Sequence, residues 1–400
     1  MSAETSSQIF EYESIARVVF GPEACKQTGA EACNLTQGKN ALIITDAGVM
    51  QAGLIGEIET SLAKSDFAVS ICADVAPEPT VSDFESVLAE AKDKSPDVLI
   101  GVGGGSSLDV SKVVARGLTN AGDLEDYVGE EWNSPGIPLI TIPTTAGTAA
   151  EVTPDAVVRL PDEKVKSGFI DVRASVAIVD PTLTLSLPPR LTAATGLDAL
   201  SHAIESALSK IATPLTHALA LESIRLISEN LRTAVSNGRD LEARTNMAWA
   251  TLIEGFSEGN AADVEGHAIA HVLGGYYTVH HGEACAIALP FCMKYNLPVN
   301  TPILARIARA MDTRISGIPE EMAVKGIHAV RQLIDDVGGP SRITDIEAAS
   351  RDGIPEMVDL YLTNPNITEF FEEWCRRGIP TEAEATALFQ EMFEPEFRLP

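Results

Sequence analysis

The feature that most constrains this chain is a change of rhythm near residue 190. Before it, short apolar runs alternate with stretches of helical spacing; after it, only helical spacing remains. Strand-length runs fall at 41–45 (ALIIT), 67–72 (FAVSIC), 97–105 (DVLIGVGGG), 138–142 (PLITI) and 175–179 (SVAIV), with helical segments such as 81–93 and 106–118 between them. Strands joined through helices build a parallel sheet covered on both faces. From RLTAATGLDALSHAIESAL onward, Leu197, Leu200, Ile204 and Leu208 form one helical stripe, and further helical segments cover 214–235, 240–275, 302–312, 319–337 and 381–393. The expected architecture is an α/β domain over 1–189 and an all-α domain over 190–400, divided at Pro188-Pro189.

Charge narrows the partners. Fifty-seven acidic against 29 basic residues give a formal charge of −28, and no basic stripe interrupts it. Such a surface repels nucleic acid and anionic lipid. The start, MSAETSSQIFEYES, has no basic n-region or apolar core of a signal peptide, and no apolar run reaches membrane-spanning length. The six cysteines are scattered without a CxxC pair, which suits a reducing cytoplasm. Cys285 and Cys292 read as buried structural thiols.

The turn GVGGGSSLDVSK, 101–112, lies where a strand ends and a helix begins. Glycines let a ligand approach the backbone, and the free amides of a helix start attract an anion such as a pyrophosphate. Asp46, after the first of these runs, can accept from a ribose hydroxyl and repel an extra phosphate, or simply cap the helix that follows. The loop IPTTAGTAAEVTP, 142–154, offers Thr144, Thr145 and Thr148 around Gly147, either as a second cofactor loop or as an ordinary polar loop.

Four of seven histidines fall within 267–281. Asp198 and His202 stand four apart on one helical pattern, and His267 and His271 repeat that spacing on another, so each pair shares a helix face. Alanine after His267 disfavours an HExxH protease. One carboxylate with several imidazoles suits a divalent first-row metal, iron(II) or zinc. His217 and His328 read as ordinary helix residues, and Asp263 as a solvated or capping residue.

These motifs together resemble the iron-containing, group III alcohol dehydrogenases. GGGSSLD, PTTAGT, DPTLTLSLPPRLTAATGLDALSHAIE, GHAIAHVLGG and HHGEACAIALP carry the resemblance, which runs from 17–24 to 289–290 and more loosely to NPNIT at 364–368. It implies a Rossmann-like NAD-binding domain and an all-helical metal domain, the dehydroquinate synthase-like fold, with the active site in the cleft between them. It implies Asp198, His202, His267 and His281 as ligands of iron, with zinc as the other candidate, and His271 beside nicotinamide and substrate. It places Gly103, Gly104, Gly105, Ser106, Ser107 and Asp109 at the pyrophosphate loop, and Thr144, Thr145 and Thr148 at the second cofactor loop. Asp46 matches the aspartate associated with NAD preference, and Lys166 and Leu185 match cofactor-lining positions. His280 is expected to be an exposed neighbour.

Two departures stand out: AGTAAE, with Ala149-Ala150, where the family reads AGTGSE, and NPN at 364–366 where it reads NPR. The first should stiffen the loop. The segment FFEEWCRRGIPTEAEATALFQEMF, 370–393, is expected to be an added surface helix. The implied activity is NAD(H)-linked interconversion of a small alcohol and its aldehyde or ketone, with His271 relaying a proton near neutral pH. The alternatives are a glycerol- or lactaldehyde-type dehydrogenase on the same fold, a lyase of the dehydroquinate synthase kind, and a non-catalytic binding protein. A homodimer or larger homo-oligomer is expected.

Overall fold

The structure, a computed structural model, describes residues 9–15, 17–160 and 164–399. Residues 1–8 of the start read above lie outside these. Among the described residues eight strands form between 18 and 179: β1 (Val18–Phe20), β2 (Asn40–Ile44), β3 (Ala68–Cys72), β4 (Val98–Gly103), β5 (Leu139–Pro143), β6 (Ala156–Val158), β7 (Ser167–Phe169) and β8 (Val176–Val179). Six make one sheet in the order β1-β8-β5-β4-β2-β3, every pairing parallel, and β6 and β7 form a separate antiparallel hairpin.

The strands are apolar on both sides because both faces are covered. Ile43, Ile100 and Ile142 point into one helix layer, while Leu42, Ile44 and Leu99 point into the other. From β2 the chain moves outward to β3 and then returns to place β4 on the other side of β2. This reversal puts a crevice at the carboxyl ends of β2 and β4, where open α/β sheets bind their ligands.

Every regular element from Pro189 onward, among the described residues, is helical. Helix Pro189–Leu208 begins on its own proline, whose missing N–H costs nothing at the first helical position. It is buried on nearly all sides at the centre of the helical core. The stretch expected as one helix over 240–275 is two, Leu241–Ala261 and Glu265–Tyr276, because Ala262 takes a left-handed conformation (φ 58°) and breaks the ladder. The expected helix at 302–312 is present: residues 281–311 are two helices that meet at a kink at Asn300 (φ −123°, ψ 16°), and Pro290 and Pro298 obscure the first of them in the sequence. Gly274 and Gly275 do not end the preceding helix, which runs on to Tyr276.

The carboxy-terminal segment is not a surface addition. Ile367, Phe371, Phe389 and Met392 are all buried, and Phe371 and Phe389 pack edge-on against the buried Tyr361. The same region reaches the first half of the chain: Asn366 donates to Ser167 of β7 (2.8 Å), and Lys164, beside that hairpin, pairs with Glu356 of helix Ile354–Thr363. Among the described residues no helix is long and apolar enough to cross a membrane.

Candidate active site

The glycine turn caps helix Gly105–Gly117, which starts directly after β4. Gly103 has φ +151°, and a side chain there would drive its Cβ to 2.6 Å from that of Ser107, so only glycine fits. The Thr144 amide donates to the Gly103 carbonyl (2.9 Å), which locks the second loop against the first. A methyl on Gly104 would lie 3.6 Å from the Thr145 side chain, and one on Gly105 3.0 Å from that of Thr148. Two loops rich in hydroxyls and amides thus flank a cradle of bare backbone, which fits a dinucleotide diphosphate.

Asp46 is a helix cap that also touches the glycine turn. Its Oδ1 accepts from Val49 N–H (3.0 Å) as a helix cap, and its Oδ2 accepts from the Ser107 hydroxyl (3.0 Å) at the glycine turn. Ser106 is half-buried at the same helix start. Asp109 is turned elsewhere: its carboxylate pairs with buried Lys112 (3.2 Å) and accepts from Val157 N–H (3.1 Å), so it ties the helix to β6. Burial raises its pKa against the pull of Lys112. Lys166 pairs with Glu78 (3.0 Å) in a cavity also lined by Arg159, His271 and His281, and Leu185 is half-buried after the short turn Pro181–Thr184. Ala149 is left-handed (φ 48°), a conformation glycine adopts freely. The substituted loop is therefore strained.

Across the cleft, three helices deliver the other side chains. Asp198 and His202 come from Pro189–Leu208, His267 and His271 from Glu265–Tyr276, and His281 opens His281–Met311. Gly282 makes this approach possible, because a Cβ there would meet the Ala194 carbonyl oxygen at 2.1 Å. Asp198 Oδ1 is buried with no hydrogen-bond partner; it faces His267 Nε2 at 3.9 Å and His281 Nε2 at 3.7 Å. An orphaned carboxylate oxygen among imidazole nitrogens is costly in a folded protein unless a cation occupies the point between them.

His202 belongs to the cluster through its ring, which stacks on His267 at 4.3 Å. Its nitrogens face Asp263 (3.7 Å) and Glu254 (3.7 Å) rather than Asp198. Asp263 is thus neither solvated nor a cap. It is buried, 3.6 Å from His267 Nδ1, and burial raises its pKa well above the carboxylate range. Burial does the same to Glu254. Sequence reading missed both residues, because acidic side chains on helical patterns look like solvated faces.

It also missed Glu205, although Glu205 follows His202 by three residues. Fully buried, Glu205 accepts from the amides of Val264 (3.1 Å) and His267 (2.9 Å), and pairs with His267 Nδ1 (2.8 Å). This fixes the His267 ring with Nε2 turned toward Asp198. Burial lowers the His267 pKa, but Asp263, Cys285 and Glu205 outweigh it and hold the group well above its usual value. Burial and neighbouring His267 push His202 and His271 down to about 3, and burial with Lys166 lowers His281. His271 therefore does not titrate near neutral pH as expected; it stays a neutral imidazole, its Nδ1 buried and unpartnered and its ring edge-on to Phe370 (5.7 Å). His280 is exposed, as is His328, and His217 is satisfied by the Ala207 carbonyl (3.1 Å).

A glycine turn at a sheet crevice, opposite a buried carboxylate–imidazole cluster, is the arrangement of a metal-assisted hydride-transfer enzyme. Comparison with known proteins agrees. Residues 16–181 match the family described as Iron-containing alcohol dehydrogenase, and residues 192–380 match its C-terminal domain, Fe-containing alcohol dehydrogenase family, C-terminal. The chain belongs to the iron-containing alcohol dehydrogenase family. It is 38% identical to 1,3-propanediol dehydrogenase of Klebsiella pneumoniae over 97% of this chain and 100% of that one. The crystal structure of a 1,3-propanediol oxidoreductase superposes with a TM-score of 0.90 at 36% identity, covering 96% of this chain and all of that one. Sulfoacetaldehyde reductase from Bifidobacterium kashiwanohense, solved with NAD+, superposes at 0.84 with 26% identity, covering 97% and 100%. As a member of this iron-containing family, the protein is an NAD(H)- and iron(II)-using oxidoreductase that interconverts an alcohol and its carbonyl compound.

Proposed function

We propose that the protein acts on short-chain alcohols or diols, with residues 1–189 holding NAD(H) and residues 190–400 holding the metal through Asp198, His202, His267 and His281. The observation that carries this reading is the orphaned Asp198 Oδ1 facing the Nε2 atoms of His267 and His281. When bound, iron would supply Lewis acidity for the substrate oxygen and NAD a hydride acceptor. The protein's own part is positioning. Gly103–Gly105 with Thr144, Thr145 and Thr148 seat the diphosphate, and Asp46 selects the unphosphorylated ribose. Neutral His271, beside the Lys166 cavity, is placed to hydrogen-bond the substrate oxygen through a ring nitrogen and orient it. Phe370 and the helix around it shield that nitrogen from bulk water.

The similarity to 1,3-propanediol dehydrogenase supports a small diol as substrate. Zinc suits the same donors as iron. A cytoplasmic homo-oligomer completes the reading. The test is anaerobic NADH formation across a panel of alcohols, diols and polyols, using metal-stripped protein reloaded with iron(II) or zinc beside a chelated control. Metal-dependent turnover on small diols supports it. Turnover confined to hydroxy acids or larger polyols, or turnover in the chelated control, overturns it.

A further inference from the structure

We propose that Phe370 is a specificity-determining residue that caps the substrate pocket and confines turnover to short carbon chains. The inference rests on the short-chain alcohol reading above and names the side chain that enforces it. Phe370 opens the turn Phe370–Trp374, which is π-helical: the Cys375 N–H donates to the Phe370 carbonyl five residues back (2.9 Å). Single π turns are rare overall and concentrated at functional sites. This one sends adjacent rings to different places. Phe371 enters the core, edge-on to Tyr361 at 4.9 Å, while Phe370 stays half-buried and meets the His271 ring edge-on at 5.7 Å.

The turn is held on both sides. Before it, Asn366 donates to Ser167 of β7 (2.8 Å). Within and after it, the Lys210 N–H donates to the Trp374 carbonyl (2.9 Å), Lys210 Nζ donates to the Glu372 carbonyl, and Arg376 Nη2 donates to the Ser209 carbonyl (3.2 Å). Trp374 stands against Phe370, perpendicular at 5.1 Å. A ring fixed by so many neighbours does not swing aside for a longer substrate. The cavity between His271 and Lys166 gives no alternative, since it measures about 10 Å³, room for one water at most. A substrate oxygen bonded to His271 therefore sends its carbon tail toward Phe370, and the ring stops it within a few carbons.

The experiment measures kcat/KM for straight-chain primary alcohols from ethanol to 1-octanol, using the full chain loaded anaerobically with iron(II), with bound iron by elemental analysis. Each methylene admitted to an apolar pocket is worth roughly tenfold or more. Phe370→Ala should therefore raise the ratio of 1-octanol to 1-propanol by at least about tenfold at unchanged iron content. Phe370→Trp should shift the profile the other way, against 1-butanol relative to ethanol, and decides the matter if the alanine variant does not fold. A titration without turnover gives a second reading: 1-octanol should change the fluorescence of Trp374, beside Phe370, in Phe370→Ala but not in wild type. A folded, iron-replete Phe370→Ala with the wild-type chain-length profile, or without the fluorescence response, overturns the proposal. So does wild type that turns over 1-octanol as readily as 1-propanol. In those cases metal-dependent turnover of short alcohols still stands, and only the assignment of Phe370 fails. Wild type that turns over no alcohol of any length, with iron bound, sinks the short-chain reading and the cap together.

Discussion

Glu205 offers the sharpest test of how the site is held. Its Oε2 accepts from two backbone amides and its Oε1 meets His267 Nδ1 at 2.8 Å, in a position with no exposure. In Glu205→Gln the amide oxygen must stay with the two N–H donors, so the NH2 turns to His267. That NH2 opposes the Nδ1 proton and drives the ring to its other tautomer, which puts hydrogen on Nε2, the atom facing Asp198. Loss of such an orienting partner typically costs 10–100-fold in metal affinity, or about 1.4–2.7 kcal/mol. Competition with a chromophoric chelator measures this directly, and circular dichroism checks the fold. Gly266→Ala should act in the same direction, since its new Cβ would sit 2.4 Å from Glu205 Oε1. A folded Glu205→Gln protein with wild-type metal affinity would refute the reasoning.

Other outcomes follow from the same geometry. His271→Ala should lower kcat by roughly 100-fold through misplacement of the substrate while metal content stays intact, as turnover and elemental analysis will tell; loss of metal would instead make His271 a ligand. Asp46→Ala should cost about 0.5–2 kcal/mol in stability through the lost helix cap and raise the use of NADP relative to NAD, read by melting and by the ratio of kcat/KM values. Burial holds the Glu151 carboxyl up at about 7. The folded state thus keeps a proton that the unfolded chain releases near the ordinary carboxylate value, and this contribution to stability is full in acid and lost as pH rises toward and past 7. Glu151→Gln should flatten the fall in Tm between pH 5 and 8, and an unchanged slope would count against it.

The parts of the site that could be read in the sequence are those written in local periodicity. Asp198 with His202, and His267 with His271, share helix faces because each pair is four apart. The strands ending at Ile44, Gly103 and Pro143 were visible as apolar runs closed by turns. What escaped depends on elements meeting. Glu205 matters only because helix Glu265–Tyr276 brings two amides to it, and the approach of His281 depends on Gly282, where a side chain would strike the Ala194 carbonyl. β1, β6 and β7 are three residues each, too short for alternation to register.

The hairpin β6–β7 has a mechanical consequence. It is a tab of the first half gripped by the second: Asn366 holds Ser167, Glu356 holds Lys164, and Gly275 leaves just enough room for the Lys164 carbonyl, which an added Cβ would meet at 2.3 Å. A cleft clasped on that side cannot gape there without tearing these contacts.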